Sequence, residues 1–396
     1  MALFTPSQSP AVVVKEIDAT GAVPNVQSST GAIVGNFRWG PVEQRTLISN
    51  EADLIDTHAT PDTTTTIDFH SASYFLRYSN SLQVVRAVTS AAKNARSSSL
   101  QTGGSLGATP TIKNKDNFTA QEGTLNTAKD TFIARYPGAL GNSIQVSVCT
   151  PTLNDSAFNG WAYKSSFDGA PTTMDQDSDK GGSLTEIHVA VVDKDGEISG
   201  TKGEVLEIFP FTSVASNSIA YDGGTNFVKT LINERSEYIH MVGFPDNISS
   251  KAPLVGTAMS TPSSVQSFIP FGANLGVLNY DFDSGVNSGA LGTAEFATGH
   301  DLFEDQETVE IDFLIAPGMS SRSDQTTVTN DLISTAIARK DCMVVTSPAR
   351  SDIIGQTNES TITTNVVATA NTLTKVSYAA MDGNFLKVFD KFNDQF

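Results

Sequence analysis

The sequence predicts an α+β fold, with a discontinuous α/β core domain, a β-rich protruding insertion and an extended N-terminal arm. Strand–helix–strand patterns occur near both ends of the chain, which favours one α/β layer built from two separate segments. The region between them is rich in strand patterns and turn signals. The first residues contain too few apolar side chains to form a core. We therefore expect an arm at 1–22, a core domain at 23–90 and 296–396, and an outer insertion at 91–295.

The N-terminal arm is predicted to be extended. Pro6 and Pro10 exclude a helix over the first ten residues. A short strand pattern follows, and its apolar positions are Val12, Val13, Val14 and Ile17. A strand outside a sheet has unpaired backbone groups and tends to pair with a sheet edge, which can belong to another copy of the chain. We therefore expect these four residues to form an intersubunit arm.

The first part of the core domain begins with a glycine-bounded apolar run. Ser49 or Asn50 is a candidate helix cap, and aromatic residues at helical spacing predict a second, amphipathic helix. The predicted elements are a strand at 32–35, a turn at Trp39-Gly40-Pro41, a strand at 46–48, helices at 49–55 and 68–78, and a strand at 83–88.

The insertion begins with a segment rich in small polar residues, 90–127, which we interpret as a linker or small insertion. The turn Asp193-Lys194-Asp195-Gly196 lies between two alternating runs and predicts a β-hairpin. The other predicted elements are strands at 131–134 and 143–150, a loop at 151–183, a helix at 225–235 capped by Thr225, and a strand at 236–242.

The second part of the core domain returns to an α/β pattern. A helical start at 301–307 precedes buried strands at 310–316 and 342–346. The helix between these strands, 324–339, is predicted to bury one face, formed by Val328, Leu332, Ile333 and Ile337.

The composition excludes several classes of protein. With 25 basic and 43 acidic residues, the formal net charge of −18 disfavours nucleic-acid binding. No signal peptide is visible, and no segment reaches the ~18 apolar residues of a membrane helix, so we expect no membrane association and assembly inside a cell. Cys149 and Cys342 each lie in an apolar run and are expected to be buried thiols.

No pattern in the sequence predicts catalysis, a metal or a cofactor. The motifs HExxH, CxxC, GxSxG and GxxxxGK[ST] are absent. The acidic residues Asp193, Asp195 and Glu197 suggest a hairpin turn more than a calcium loop, and Asp175, Asp177 and Asp179 suggest a solvated loop. None of the histidines pairs at metal-ligand spacing: His58, His70, His188, His240 and His300. We expect His188 and His240 to be structural and the chain not to be an enzyme.

The string STGAIVGNFRWGP at 29–41 resembles the N-terminal core motif of contractile tail sheath proteins of myovirus-type bacteriophages. Its motif residues are Gly31, Gly35, Trp39, Gly40 and Pro41. Further segments are similar and follow in the order of the family: NEADL, YFLRYSNSLQVVRAV, RYPGALGNSI, SEYI, ARKDCMVVTSPAR and YAAMDGNFLKVFDKFND. Together they extend over nearly the whole chain.

The resemblance implies a structural subunit of the virion tail that polymerises as hexameric rings stacked helically around a tail tube. Its contraction would drive the tube through the host envelope during genome ejection. The implied partners are identical copies, the tail tube protein, the baseplate and the tail terminator, and assembly would take place in the host cytoplasm. The family continues beyond the DKFND segment, where it completes the core, contacts the tube and supplies a C-terminal arm. The Ser/Thr/Gly-rich stretch at about 90–127 is much shorter than the outer domain of the largest relatives, so we expect that domain to be reduced or missing.

A second function remains open from the residues alone. The Ser-, Thr- and Asn-rich insertion would also suit a phage surface module that binds host carbohydrate. An enzyme is the third alternative, and the absence of a polar catalytic cluster argues against it.

Overall fold

The computed structural model describes residues 29–97, 109–125, 131–151, 153–172, 185–243 and 276–395. The strands are β1 (Gly31–Gly35), β2 (Arg45–Ile48), β3 (Leu82–Arg86), β4 (Asn94–Ser97), β5 (Phe132–Pro137), β6 (Ile144–Cys149), β7 (Glu186–Asp193), β8 (Glu204–Ser213), β9 (Ile239–Met241), β10 (Val277–Asp283), β11 (Phe313–Ala316), β12 (Met343–Thr346) and β13 (Ala379–Met381). The α-helices are α1 (Glu51–His58), α2 (Thr66–Phe75), α3 (Lys115–Leu125), α4 (Ser156–Gly160), α5 (Val228–Arg235), α6 (Thr293–His300), α7 (Arg322–Arg339), α8 (Arg350–Ile353) and α9 (Glu359–Thr372).

The first sheet has the order β13-β12-β11-β1-β3-β2, and all its strands are parallel except β2. Its two faces are both covered, because successive side chains of β1 enter different clusters. Ile33 packs with residues of α1 and α2, such as Phe69. Val34 packs with residues of α6 and α7, such as Phe296 and Leu332. Further protein can therefore extend this sheet only at its edges.

The second sheet has the order β8-β7-β6-β10-β4-β5-β9, and all its strand pairs are antiparallel. Helix α5 packs on it through Val228 and Ile232, in the same cluster as Phe132 and Tyr280. The first sheet takes its strands from 31–86 and 313–381, whereas the second takes them from 94–283.

The predicted α+β class is confirmed by the helices and the two sheets. The β7–β8 hairpin lies where the turn at 193–196 predicts it. Asn50 caps α1, since its side chain accepts a 3.0 Å hydrogen bond from the backbone N–H of Asp53. The predicted limits of the arm, core domain and insertion stay a prediction.

Two expectations from the sequence were wrong, and a third was left with two alternatives. The segment 90–127, interpreted as a linker or small insertion, contains β4 and α3, which argues against the linker. Ile337 is 39% exposed, because the buried stripe of α7 ends on Ala336 and Arg339. Thr225 does not cap α5: the cap position is Phe227, and the hydroxyl of Thr225 accepts a hydrogen bond from the backbone N–H of Phe227.

Candidate functional site

The glycines at both ends of β1 allow α2 to pack directly on the strand. A Cβ atom at Gly31 would lie 2.5 Å from Cζ of Phe75, and one at Gly35 would lie 2.8 Å from Cβ of Asp68. Beyond the strand, the backbone N–H of Asn36 donates a 2.7 Å hydrogen bond to the carboxylate of Asp68. Burial raises the pKa of Asp68 to about 6, although this hydrogen bond and Arg350 lower it. These contacts fix the direction in which the chain leaves the first sheet.

The loop that follows β1 is held by His58 at the end of α1. The backbone N–H of Trp39 donates to the carbonyl of His58 at 3.1 Å, and Nδ1 of His58 lies 3.0 Å from the carbonyl oxygen of Trp39. Gly40 has a φ of 102°, and a Cβ atom there would lie 2.5 Å from Nδ1 of His58. Only glycine fits this turn without strain. Pro41 follows and is buried.

Trp39 inserts its side chain into the core of the second sheet. It is 5% exposed and belongs to the same cluster as Phe132 and Leu140. Its ring meets that of Tyr136 edge-on, with 5.4 Å between the centroids. Edge-to-face contact is a favoured arrangement of aromatic rings, so Trp39 joins the β1 loop to the second sheet.

Arg86, at the end of β3, links the same loop to the second sheet through its guanidinium group. The group donates to the carbonyls of Phe37 (2.7 Å), Gly40 (2.9 Å), Arg38 (3.3 Å) and Pro137 (2.6 Å). Arg86 is 1% exposed, and burial lowers its pKa to about 9. Four carbonyl groups accept hydrogen bonds from this buried cation, and Tyr136 raises its pKa again, so the arrangement is sensitive to the loss of any one acceptor.

Two ion pairs cross the same junction nearer the surface. Nη2 of Arg38 lies 2.6 Å from Oε2 of Glu197 in the β7–β8 turn, and Lys113 pairs with Glu43. Partly exposed pairs of this kind contribute little, typically below about 1 kcal/mol each. The buried contacts of Trp39 and Arg86 therefore contribute more to the connection between the sheets than these two ion pairs do.

The edges of the second sheet are blocked against further strands. Strand β8 carries Glu204, Glu207 and Pro210 and has two register shifts against β7, all of which oppose regular pairing. At β9, the side chain of Asn233 in α5 forms hydrogen bonds with both backbone groups of Met241. It accepts from the N–H at 2.7 Å and donates to the carbonyl at 3.0 Å, so neither group is left to pair with another strand. Strand addition to this sheet is therefore disfavoured at both ends.

The edges of the first sheet carry no comparable block within the described ranges. Strand β13 is parallel to β12, and the carbonyl of Tyr378 and the N–H of Asp382 form hydrogen bonds with β12. Because the backbone groups of successive residues in a strand point to opposite sides, the N–H and carbonyl groups of Ala379 and Met381 point away from β12. At the other edge, Leu47 of β2 has 64% of its side chain exposed. Within the described residues, the first sheet therefore differs from the second in having edge backbone groups without such a block.

In the turn at 193–196, the Asp193 carboxylate is held by hydrogen bonds from within the protein. The Asp193 carboxylate accepts hydrogen bonds from the hydroxyls of Ser143 and Ser199 and from the backbone N–H groups of Gly196, Ile198 and Ser199. Burial raises the pKa of Asp193, but the hydrogen bonds from Ser143, Ser199 and Ile198 together lower it below its usual value. The described residues contain no cluster of potential metal ligands. Asp175, Asp177 and Asp179 lie outside the described residues.

The remaining candidate groups are buried in the structure. His188 and His240 lie in β7 and β9, and burial lowers the pKa of His240 to about 3. Cys149 and Cys342 are buried free thiols, as expected, and burial raises their pKa values to about 12 and about 11. No helix among the described segments is long and apolar enough to cross a membrane.

Of the core motif, Trp39, Gly40 and Pro41 lie at the junction of the two sheets, whereas Gly31 and Gly35 contact α2 on the first sheet. The predicted arm is not described. Val12, Val13, Val14 and Ile17 lie outside the described residues. Sequence reasoning missed Arg86, although a signal was present. A single arginine inside the apolar run QVVRAV is typical of a buried cation that needs several hydrogen-bond acceptors.

Comparison with known proteins identifies relatives along nearly the whole chain. The tail sheath protein of Salmonella phage ViI is 27% identical over 461 aligned positions, which include 100% of this chain and 68% of that protein. The tail sheath protein of Enterobacteria phage T4 is 26% identical over 98% of this chain and 70% of its own length. The solved sheath tail protein from Listeria innocua gives a TM-score of 0.43 at 11% identity, over 89% of this chain and 58% of that one. No protein-family profile matches the chain.

Proposed function

We infer that this chain is a bacteriophage tail sheath protein with a structural role in the virion tail. The observation that carries this conclusion is its similarity to two curated tail sheath proteins over nearly its full length. The expected resemblance to contractile tail sheath proteins is thereby confirmed. The similarity does not favour the alternative of a carbohydrate-binding surface module, and no catalytic function is proposed.

The mode of assembly is a finer proposal. The chain polymerises as stacked hexameric rings around the tail tube protein, and it contacts the baseplate and the tail terminator at the two ends of the tail. Contraction then drives the tube through the host envelope. The free energy of contraction comes from contacts that differ between the extended and contracted states, because an equilibrium shifts only by such a difference. Assembly takes place in the host cytoplasm.

The copies are joined by strand exchange. The arm at 1–22, with Val12, Val13, Val14 and Ile17, adds a strand to the first sheet of a neighbouring copy. The contrast between the sheets supports this assignment, since the second sheet is blocked by Asn233 and Pro210 whereas β2 and β13 carry no such block in the described structure. Main-chain pairing would supply affinity, and the apolar arm residues would supply specificity.

Deletion of residues 1–20 tests this function. Electron microscopy and sedimentation of the full chain should reveal rings or tubes, whereas the deletion variant should remain a folded monomer with an unchanged unfolding transition. A matched control replaces residues 1–20 by a Gly/Ser segment of equal length, which keeps the mass but lacks the apolar strand pattern. Tube formation by either variant would contradict the arm, and discrete cell-binding particles formed by the full chain would contradict the sheath function.

A further inference from the structure

A cavity of about 360 Å³ opens at the junction of the two sheets, beside the core motif. Its walls include the aromatic side chains of Trp39, Tyr136 and Tyr238, and its lining also includes Asp56 and Glu237. Trp39 comes from the β1 loop, Asp56 from α1 and Tyr238 from the approach to β9. The regions of both sheets therefore contribute to the cavity.

The two acidic residues of the cavity are exposed and unpaired. Neither the Asp56 nor the Glu237 carboxylate forms an ion pair or a side-chain hydrogen bond within the ranges that the structure describes. The pKa of Tyr238 is consistent with a negative potential in the cavity. Burial raises this pKa most, and the nearby carboxylates raise it further: Glu207, Glu237, Asp56 and Asp193. Two carboxylates at the mouth of an aromatic cavity match a cation better than they match a neutral or acidic group.

One basic residue also lines the cavity, and it already has partners inside the protein. The guanidinium of Arg135 donates to the Tyr136 hydroxyl at 3.3 Å and to the carbonyl of Ser236, and it lies 5.9 Å from the centre of the Tyr136 ring. Arg135 contributes one positive charge, whereas Asp56 and Glu237 contribute two negative charges. The cavity therefore keeps an excess of negative charge and of hydrogen-bond acceptors.

We propose that this cavity binds a lysine or arginine side chain of a second copy of this chain. The ammonium or guanidinium group would lie against the tyrosine rings and pair with Asp56 and Glu237. The occupant follows from charge complementarity, because contacts between basic and acidic groups offset the repulsion between copies of a chain whose net charge is −18. Exposed lysines without an ion pair in the described structure, such as Lys202 and Lys340, carry the required group.

This inference rests on the proposed self-assembly but concerns a contact other than strand exchange. Asp56→Asn combined with Glu237→Gln keeps the shape of the cavity and removes its charge. We expect the critical concentration for assembly to rise about tenfold, and the difference to disappear in high salt, because two partly exposed ion pairs are lost. The matched control is Asp301→Asn combined with Glu307→Gln, which removes the same charge from exposed positions elsewhere and should change assembly little.

A second measurement isolates the cavity from assembly. The chain has two tryptophans, so Trp161→Phe leaves Trp39 as the only one. Nα-acetyl-lysine methylamide should then change the emission of Trp39 in a saturable way, and the change should be lost in the Asp56→Asn, Glu237→Gln background.

The outcomes separate this inference from the proposed function. If the full chain assembles and the double variant assembles as the control does, the cavity contact is wrong and the sheath function stands. If the probe binds but assembly is unchanged, the occupant is not a second copy, and the proposal fails. If the unaltered chain does not assemble at all, both proposals fail. Weaker assembly together with loss of probe binding would support the cavity contact.

Discussion

The guanidinium of Arg86, at the end of β3 in the first sheet, donates a 2.6 Å hydrogen bond to the carbonyl of Pro137, at the end of β5 in the second sheet. The same group holds three carbonyls of the loop that carries Trp39. One side chain therefore fixes the turn and connects the two sheets. This buried contact and the Trp39 ring therefore both connect the two sheets.

Replacement of Arg86 by methionine should destabilise the protein by about 3–5 kcal/mol, because it leaves several buried carbonyls without donors. Arg86→Lys should recover only part of the loss, since an ammonium group lacks the planar fork of the guanidinium. Urea unfolding measures both effects. Arg77, which is exposed and lies over the Tyr74 ring, gives the matched control Arg77→Met, with an expected cost below about 1 kcal/mol. Equal costs for the two methionine variants would contradict the role of Arg86.

Gly40→Ala should be far more costly than the same change at another glycine with positive φ. At Gly40 the new Cβ would lie 2.5 Å from His58 Nδ1 and 2.8 Å from the carbonyl of Thr57, in addition to the backbone strain. We expect a loss of about 3–5 kcal/mol. Gly200 has a φ of 84° and nothing within 4 Å of the added atom, so Gly200→Ala should cost only about 1 kcal/mol. Both variants introduce backbone strain, but only Gly40→Ala also introduces a steric clash, so their unfolding temperatures separate the two effects. Similar decreases in unfolding temperature would contradict the packing of Gly40 against His58.

The sequence predicted elements whose signals are local, and it missed those that depend on distant partners. The apolar run of β1 is bounded by glycines and was located correctly. Strand β4 was missed because its buried residues are mostly polar and give no apolar pattern. The side chain of Asn94, for example, forms hydrogen bonds with the backbone of Ile112 and Ala134. The partners of Arg86 lie 46 to 51 positions away along the chain, so the pattern predicts burial but not which carbonyls are bound.

The free energy of unfolding should decrease on acidification because His58 is buried in its neutral form. Burial lowers the pKa of His58 from 6.5 to about 4, although the carbonyl of Trp39 raises it. Between these values the unfolded chain binds a proton that the folded chain does not, so the free energy of unfolding decreases as the pH falls from 6.5 to 4. The contribution amounts to about 3 kcal/mol. His58→Gln should reduce the pH dependence by this amount in urea titrations at several pH values.

Asp68 acts in the opposite direction over the same pH range and supplies a control. Its pKa is raised from 3.8 to about 6, so it contributes stability at low pH that is lost as the pH rises through this window. Asp68→Asn should therefore make the loss of stability on acidification steeper, whereas His58→Gln makes it shallower. Changes of the same sign in both variants would contradict these assignments.

Met381→Pro tests whether β13 is the edge that accepts a neighbour's strand. Its backbone N–H points away from β12, so proline removes an outward donor and leaves the bonds that Tyr378 and Asp382 make to β12. Stability should stay within about 1 kcal/mol of the original chain, while assembly is lost. Met381→Leu keeps the donor and should assemble normally, whereas Ala380→Pro removes an inward donor and should weaken the fold itself. Sedimentation and urea unfolding together distinguish these cases, and normal tubes from Met381→Pro would exclude β13 and leave β2 as the remaining open edge of this sheet.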